Sequence, residues 1–547
     1  MKNIILTFLS IILTLSVFNQ NVFFPPEFEK QEGLLLTWDY NDQRNPITAA
    51  IAKAVQPSAK VWIIYYPGQA PMDTSEIRDY LRQHGVPDQN VDLIPGWTET
   101  LWIRDYGPFS GYDLATVPVS RMMRDAGYSA YNRPMDDSIP TQIANYWEIP
   151  VGEIPLQFEG GNVLFDGLGR AWGSSRIIEQ NPAYTEAQLK ALLEEYFGLY
   201  DFMFLQKLTH SGGGIWCHVD MFMKILDQET ILISQYPDFV PDYNLIENFA
   251  STLAGMANSE GRNYTIIRIP APPKANGNWP TTQNDEMRTY TNSIIINNVI
   301  VIPSYNLPEY DSTAKHVYQQ AMPGYRIEMV DATALTPLYG ALHCITHEVT
   351  KPQYFRVQHN KIVGLQEYSG KYFIHAKIDC TQAVDSVFLY YKLKHDPEFT
   401  RVEMWPGCPY HTGLIINSNL NDTIHYYISA THNGDQVFSP PQAPEGFYTF
   451  WCQPTTGNQE TSNLAQPEIS FFPNPSNGQF WLDIQSEAAL EGEVSINDLT
   501  GKIIYNQLVC GGKNQFNLVH LLKPGIYVLK FIKPNQQPHR RILVIDK

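Results

Sequence analysis

Met221-Phe222-Met223-Lys224-Ile225-Leu226, followed after a polar turn by Thr230-Ile231-Leu232-Ile233-Ser234, decides the fold class. Two short apolar runs this close read as a pair of buried strands. Residues 243–257 then place apolar side chains at helical spacing, and residues 265–269 return to an Ile-rich strand run. Strand, strand, helix, strand is an α/β unit. Working outward, further strand-like runs fall at residues 33–38, 61–66, 162–165 and 293–303, with helix-like stretches at 181–196 and 312–321. Residues from about 23 to 366 therefore read as one α/β domain of repeated units, though without close self-similarity.

From about residue 370 to 454 the pattern changes. Residues 372–378, 386–394, 422–430 and 436–439 alternate apolar and polar side chains between turns rich in Pro, Gly, Asn and Asp, which predicts a small β-sandwich. Residues 453–466 are rich in Thr, Gly, Asn, Gln and Ser and read as a linker. The last segment carries Phe471-Phe472-Pro473-Asn474-Pro475, Gly525-Ile526-Tyr527 and a closing Arg541-Ile542-Leu543-Val544-Ile545, again short strands with a basic end. Together these resemble the C-terminal sorting domain of proteins exported by type IX secretion.

The 547 residues allow three or four domains at roughly 150 residues each. A 44% hydrophobic content is that of a globular chain. The net charge of -18 argues against nucleic-acid partners, which need a basic face, and is compatible with a cationic substrate. Lys2 followed by an apolar run over residues 4–18 reads as a secretory signal, too short for a comfortable membrane span. Six cysteines are too few for a disulfide framework in an exported chain of this length. Cys380 with Cys452, or Cys408 with either, would close one bridge, and the sequence leaves that pairing open.

The chemistry gathers around Cys344, in Gly340-Ala341-Leu342-His343-Cys344-Ile345-Thr346. A lone cysteine is more often a small buried hydrophobe, but here the flanks form a polar turn. His218 and Asp220 stand two apart in Trp216-Cys217-His218-Val219-Asp220, so on a strand they would share a face. The bland reading is a surface His-x-Asp pair. A metal site would need further ligands at matching spacing, and none is seen. Asp105, in Trp102-Ile103-Arg104-Asp105-Tyr106-Gly107-Pro108, adds a carboxylate beside the flat wall of Trp102. Glu159-Gly160-Gly161-Asn162 adds another, with two glycines that permit close backbone approach. A thiol, an imidazole and paired carboxylates suit attack on a planar guanidinium.

In this order, residues 102–108, 158–167, 218–222, 290–303 and 340–346 resemble the motifs of the agmatine deiminase and bacterial peptidylarginine deiminase family, over roughly residues 23–366. The resemblance implies the pentein fold, a five-bladed α/β propeller, which periodicity does not reveal. It implies Cys344 as nucleophile, His218 as general acid and base, Asp105 and Asp220 as guanidinium ligands, Glu159 as support for the histidine and Asn292 as a substrate contact. Trp102 and Trp216 join them as substrate-binding candidates, and the scheme needs no metal or other cofactor. The loop Tyr131-Asn132-Arg133-Pro134-Met135-Asp136-Asp137 resembles the peptidylarginine deiminases, whose arginines here hold the substrate's C-terminal carboxylate. Arg133 matches one of them, and Met135 stands where a second is expected. A surface charge is the competing reading of Arg133.

The expected organisation is a signal peptide at 1–20, a pentein deiminase domain at 21–367, an Ig-like β-sandwich at 368–455, a linker at 456–467 and a sorting domain at 468–547. The expected function is a secreted or cell-surface protein-arginine deiminase making citrulline and ammonia. Its expected partners are arginine-bearing peptides or proteins and the type IX secretion machinery, with outer-membrane anchoring left open. Two other readings stand beside it. One is a deiminase of agmatine or free arginine, and the other is an exported adhesin on an inactive fold.

Overall fold

In the computed structural model, the described residues are 21–546 except 41–42, 68–72, 129–130, 211–216, 369, 408–409, 418–421, 454–467, 486–490, 499–500, 511, 520 and 533–538. The expected signal peptide and linker lie outside them. The chain divides into two compact units, Met1–Val317 with Ile327–Pro352, and Tyr318–Arg326 with Gln353–Lys547.

The strands of the first unit form five small sheets of three or four strands each. Three of them show the same construction, and a fourth lays out its strands in the same order. An antiparallel pair comes first, as in Met223–Ile225 with Thr230–Gln235. A helix then leads to a third strand that pairs in parallel, as Tyr243–Ala254 leads to Thr265–Pro270. Leu164–Phe165, Arg170–Ser174 and Asp201–Leu205 repeat the pattern through the helix Glu186–Phe197. Phe109–Asp113, Ser120–Gly127 and Val151–Gln157 repeat it through Ile139–Tyr146. In the fifth sheet the first strand comes from the far end of the unit. His347–Thr350 pairs antiparallel with Gln31–Thr37, which pairs in parallel with Lys60–Tyr65. This register brings the segment after Cys344 beside the start of the domain.

Local chemistry explains the borders. Thr185 caps the helix Glu186–Phe197 in a capping box with Gln188, and Gly198 ends it in the left-handed conformation at φ 66°. The apolar run at 293–303 is not one strand. Asn297 adopts φ 52° and turns the chain, so the run splits into the hairpin Ile294–Ile296 and Val299–Ser304. The segment at 162–165 yields only the short strand Leu164–Phe165, because Gly160–Asn162 forms a 3-10 turn.

In the second unit, Phe355–Gln358, Lys371–Cys380 and Tyr410–Ile416 form one sheet, while Ser386–Leu393, Thr423–His432 and Tyr448–Gln453 belong to a larger one. Ile374, Ile415, Leu389, Tyr426, Ile428 and Phe450 draw both sheets onto a shared core. Gln479–Gln485, Glu491–Asn497 and Gly525–Ile532 contribute to a further pair of sheets whose shared core includes Phe480, Phe516, Val494 and Leu529. Cys380 and Cys452 are free thiols, so neither forms the bridge weighed from the sequence, and Cys408 lies outside the described residues. Among the described residues no helix is long and apolar enough to cross a membrane.

Candidate active site

Each of the five sheets in the first unit is entered through a short turn, and the candidate residues sit on those turns. Asp105 lies on the one-turn helix Ile103–Tyr106, ahead of the strand Phe109–Asp113. Glu159 precedes the 3-10 turn Gly160–Asn162, and His218 precedes the turn Val219–Met221 that contains Asp220. Asn292 stands just before Ile294–Ile296, and Cys344 sits inside the turn His343–Ile345, just before His347–Thr350. His218 and Asp220 are thus on a turn and not on the strand expected from their spacing, because pairing starts only at Met223.

These turns converge. His218 Nδ1 lies 3.4 Å from Asp105 Oδ1, and Nε2 lies 2.9 Å from Glu159 Oε2. Cys344 Sγ lies 3.3 Å from Asn292 Nδ2 and 3.9 Å from Asp220 Oδ2. Asp220 is fully buried, and its Oδ1 has no hydrogen-bond partner among the described residues. A buried carboxylate oxygen without a donor is costly unless something arrives to pair with it. Gly161 makes the convergence possible. A Cβ there would lie 2.8 Å from both Asp105 Oδ1 and His218 Nδ1 and 3.2 Å from Asp220 Oδ2. Its backbone N–H also donates to Asp105 Oδ1 at 3.2 Å.

The electrostatics follow from burial and partners. Burial pushes the Cys344 thiol well above its usual range, and Asp220 and Asp105 push it further, against weaker help from Ala341 and Asn292. Burial alone would lower the His218 imidazole, but Asp105 and Glu159 outweigh it and hold the ring well above its usual range. Burial would raise Glu159, yet His218, Tyr131 and Arg176 together hold it below the ordinary glutamate value. Burial and the two aspartates thus favour the neutral thiol, while the two carboxylates favour the protonated imidazole.

Of the remaining candidates, Trp102 packs its ring against Gly340, where a Cβ would come within 2.5 Å of it. Arg133 lies outside this contact cluster, half-buried, donating to the Tyr128 hydroxyl at 3.3 Å and lying over the Tyr131 ring at 5.4 Å. Trp216 lies outside the described residues. Sequence reasoning missed Tyr131 and Arg176 as site neighbours. The Tyr131 hydroxyl donates to Glu159 Oε1, and Arg176 Nη2 donates to that hydroxyl at 3.2 Å. Arg176 opens an unremarkable helical turn, and only the fold brings it to Glu159.

Behind the site lies a buried charge network. Arg104 is paired with Glu348, and Lys224 with Glu27. Glu27, His343 and Glu348 offer ligand atoms within 4.8 Å of one another, a grouping that a divalent cation could use. Each carboxylate is already matched by a buried basic side chain, so the set is balanced without an added ion.

Residues 23–350 match the Porphyromonas-type peptidyl-arginine deiminase family, and residues 470–545 match the secretion system C-terminal sorting domain. A Legionella pneumophila protein provisionally named an agmatine deiminase is 23% identical over 346 residues, covering 60% of this chain and 95% of its own. The solved agmatine deiminase of Enterococcus faecalis is 18% identical with a TM-score of 0.53, covering 61% of this chain and 97% of its own. The C. jejuni agmatine deiminase with substrate bound is 19% identical with a TM-score of 0.51, covering 60% and 97%. The family match thus makes the first unit a pentein-type deiminase, a hydrolase of C–N bonds in arginine-like guanidino groups. The chain belongs to the Porphyromonas-type peptidyl-arginine deiminase family and ends in a type IX sorting domain, which implies export through that machinery to a secreted or cell-surface location.

Proposed function

We propose that this protein is an exported protein-arginine deiminase that converts peptidyl-arginine, preferentially at a peptide's C-terminus, to citrulline and ammonia. The observation that carries the proposal is the buried meeting of Cys344, His218, Asp105, Asp220, Glu159 and Asn292, with one Asp220 oxygen left unpaired. In the proposed reaction the guanidinium enters between Asp105 and Asp220, stacked on Trp102 and helped by Trp216. Its positive charge offsets the carboxylates that disfavour the thiolate, and the thiol proton passes to solvent, to be taken back when the thiolate is regenerated. Cys344 Sγ then bonds to the guanidine carbon, giving a neutral tetrahedral adduct steadied by Asn292. The His218 imidazolium protonates one amino group, the C–N bond breaks and ammonia departs, leaving a thiouronium on Cys344. Neutral His218, oriented by Glu159, takes a proton from water as the water oxygen bonds to the same carbon. The C–S bond breaks with its electron pair on sulfur, and citrulline and one proton are released.

The five small sheets are proposed as the blades of an α/β propeller, and residues 368–455, together with the strands at 355–358 and 364–367 that pair with them, as an Ig-like sandwich followed in sequence by the sorting domain at 468–547. Arg133 supports the peptide reading, since a guanidinium at the edge of the site can hold a terminal carboxylate through two parallel hydrogen bonds. The alternative, an agmatine or free-arginine deiminase, is favoured by the agmatine deiminases among its relatives.

The test compares citrulline release from a peptide ending in arginine, the same peptide with internal arginine, and ammonia release from agmatine, for wild type and Cys344→Ala. Release from the first substrate above all, falling by roughly 10⁴-fold or more in the variant, is the expected result. Turnover of agmatine alone would sink the peptide reading.

A further inference from the structure

The two oxygens of Asp220 are used differently. Oδ2 lies 2.8 Å from His343 Nδ1, while Oδ1 is the buried atom without a partner. His343 itself is held on every side. Its Nε2 lies 2.9 Å from Glu27 Oε1, and Glu27 receives Lys224 Nζ at 2.7 and 2.6 Å. Its backbone N–H donates to Asn292 Oδ1 at 3.0 Å, and its carbonyl accepts from Arg104 Nε at 3.3 Å. The ring is 1% exposed, so it touches no substrate. Two contacts between one imidazole and two carboxylates require two protons along the Glu27–His343–Asp220 line.

We propose that His343 is a positioning residue for guanidine binding. Clamped from behind by Glu27, it donates from Nδ1 to Asp220 Oδ2 and so turns Oδ1 toward the substrate's N–H groups. Without that anchor the Asp220 carboxylate can rotate, and the fixed acceptor that pairs with the cation is lost. The same residue lies next to Cys344 and shares Asn292 with it. The carboxylate and the nucleophile are therefore set by one rigid junction. The inference rests on the deiminase reading of the site and goes beyond it by giving a role to a residue outside the reacting groups.

Asparagine and glutamine separate this role from simple packing. The amide nitrogen of Asn reaches about where imidazole Nδ1 lies, and that of Gln about where Nε2 lies. His343→Asn therefore keeps the donor to Asp220 and gives up Glu27, whereas His343→Gln does the reverse. KM, kcat and Tm are measured for wild type and both variants with agmatine and with a peptide ending in arginine. His343→Gln is expected to raise KM roughly 10- to 100-fold with a smaller change in kcat, while His343→Asn stays within a few-fold of wild type, although both lose similar Tm. Equal losses in the two variants, in step with Tm, would overturn the proposal, as would an unchanged KM in His343→Gln. Should neither variant fold, Glu27→Gln leaves the ring in place and weakens its rear support. Because the contact from Nδ1 to Asp220 survives, KM within a few-fold of wild type is then expected, as for His343→Asn, and a rise of roughly 10-fold or more would overturn the proposal. If wild type turns over no guanidine, the deiminase reading fails and this inference with it. If wild type turns over substrate and the variants behave alike, only this inference fails.

Discussion

Single residues carry most of the chemistry here, and Gly161 shows how tightly they are set. The peptide at Gly161 passes between Asp105, His218 and Asp220 with no room for a side chain. Gly161→Ala must displace at least two of these groups, so it is expected to cost about 1–3 kcal/mol of stability. It should also cost at least ten-fold in kcat/KM, because misplaced reacting groups lose rate steeply. Thermal unfolding and steady-state kinetics check both, and near-wild-type activity would show that the turn relaxes freely. At this scale the sequence was partly legible. Cys344, His218, Asp105, Asp220 and Glu159 come together from segments whose residue types suggested chemistry, and Asn292, implied only by the family resemblance, joins them. Tyr131, Arg176 and Glu27 were not legible, because each matters only through a partner far away in sequence. Glu27, for example, meets Lys224 across 197 residues and His343 across 316.

At the scale of elements, the turns that carry the site are tied together by buried ion pairs. Arg104, on the helix Ile103–Tyr106, grips Glu348, on the strand His347–Thr350, through two hydrogen bonds of 2.7 and 2.5 Å. Arg104 is buried and Glu348 nearly so, at 6% and 12% exposure. Glu348→Gln leaves the Arg104 charge without its partner and is expected to destabilise the protein by about 3–5 kcal/mol. Burial would raise Glu348, but Arg104 more than offsets it and lowers its pKa below the ordinary glutamate value. A carboxylate lowered in the folded state stabilises at pH above its unfolded value and loses that contribution as pH falls through the folded value. The gap in stability between wild type and Glu348→Gln should therefore be full at neutral pH and shrink in acid below the ordinary glutamate range. A gap that stays constant down to strong acid would contradict the pairing. The α/β alternation was legible because buried strands and amphipathic helices differ in period. Strands such as Ser120–Gly127 and Val151–Gln157 escaped notice because polar residues, glycine and a proline interrupt their apolar pattern. The division of residues 293–303 was hidden because its turn is made by two asparagines inside an apolar run.

At the scale of the whole molecule, the chain joins a deiminase unit to β-rich modules and a type IX sorting domain. An exported deiminase meets polypeptides outside the cell, which is why the peptide reading is preferred over metabolism of a small amine. That reading depends on covalent chemistry at Cys344, and one measurement addresses it most directly. The enzyme is mixed with a peptide ending in arginine, quenched in acid during turnover, digested and analysed by mass spectrometry. The account predicts that the peptide containing Cys344 gains the mass of the substrate less one ammonia, and that the adduct vanishes in Cys344→Ala. Turnover with no such adduct at any quench time, or with the adduct on another residue, would contradict it.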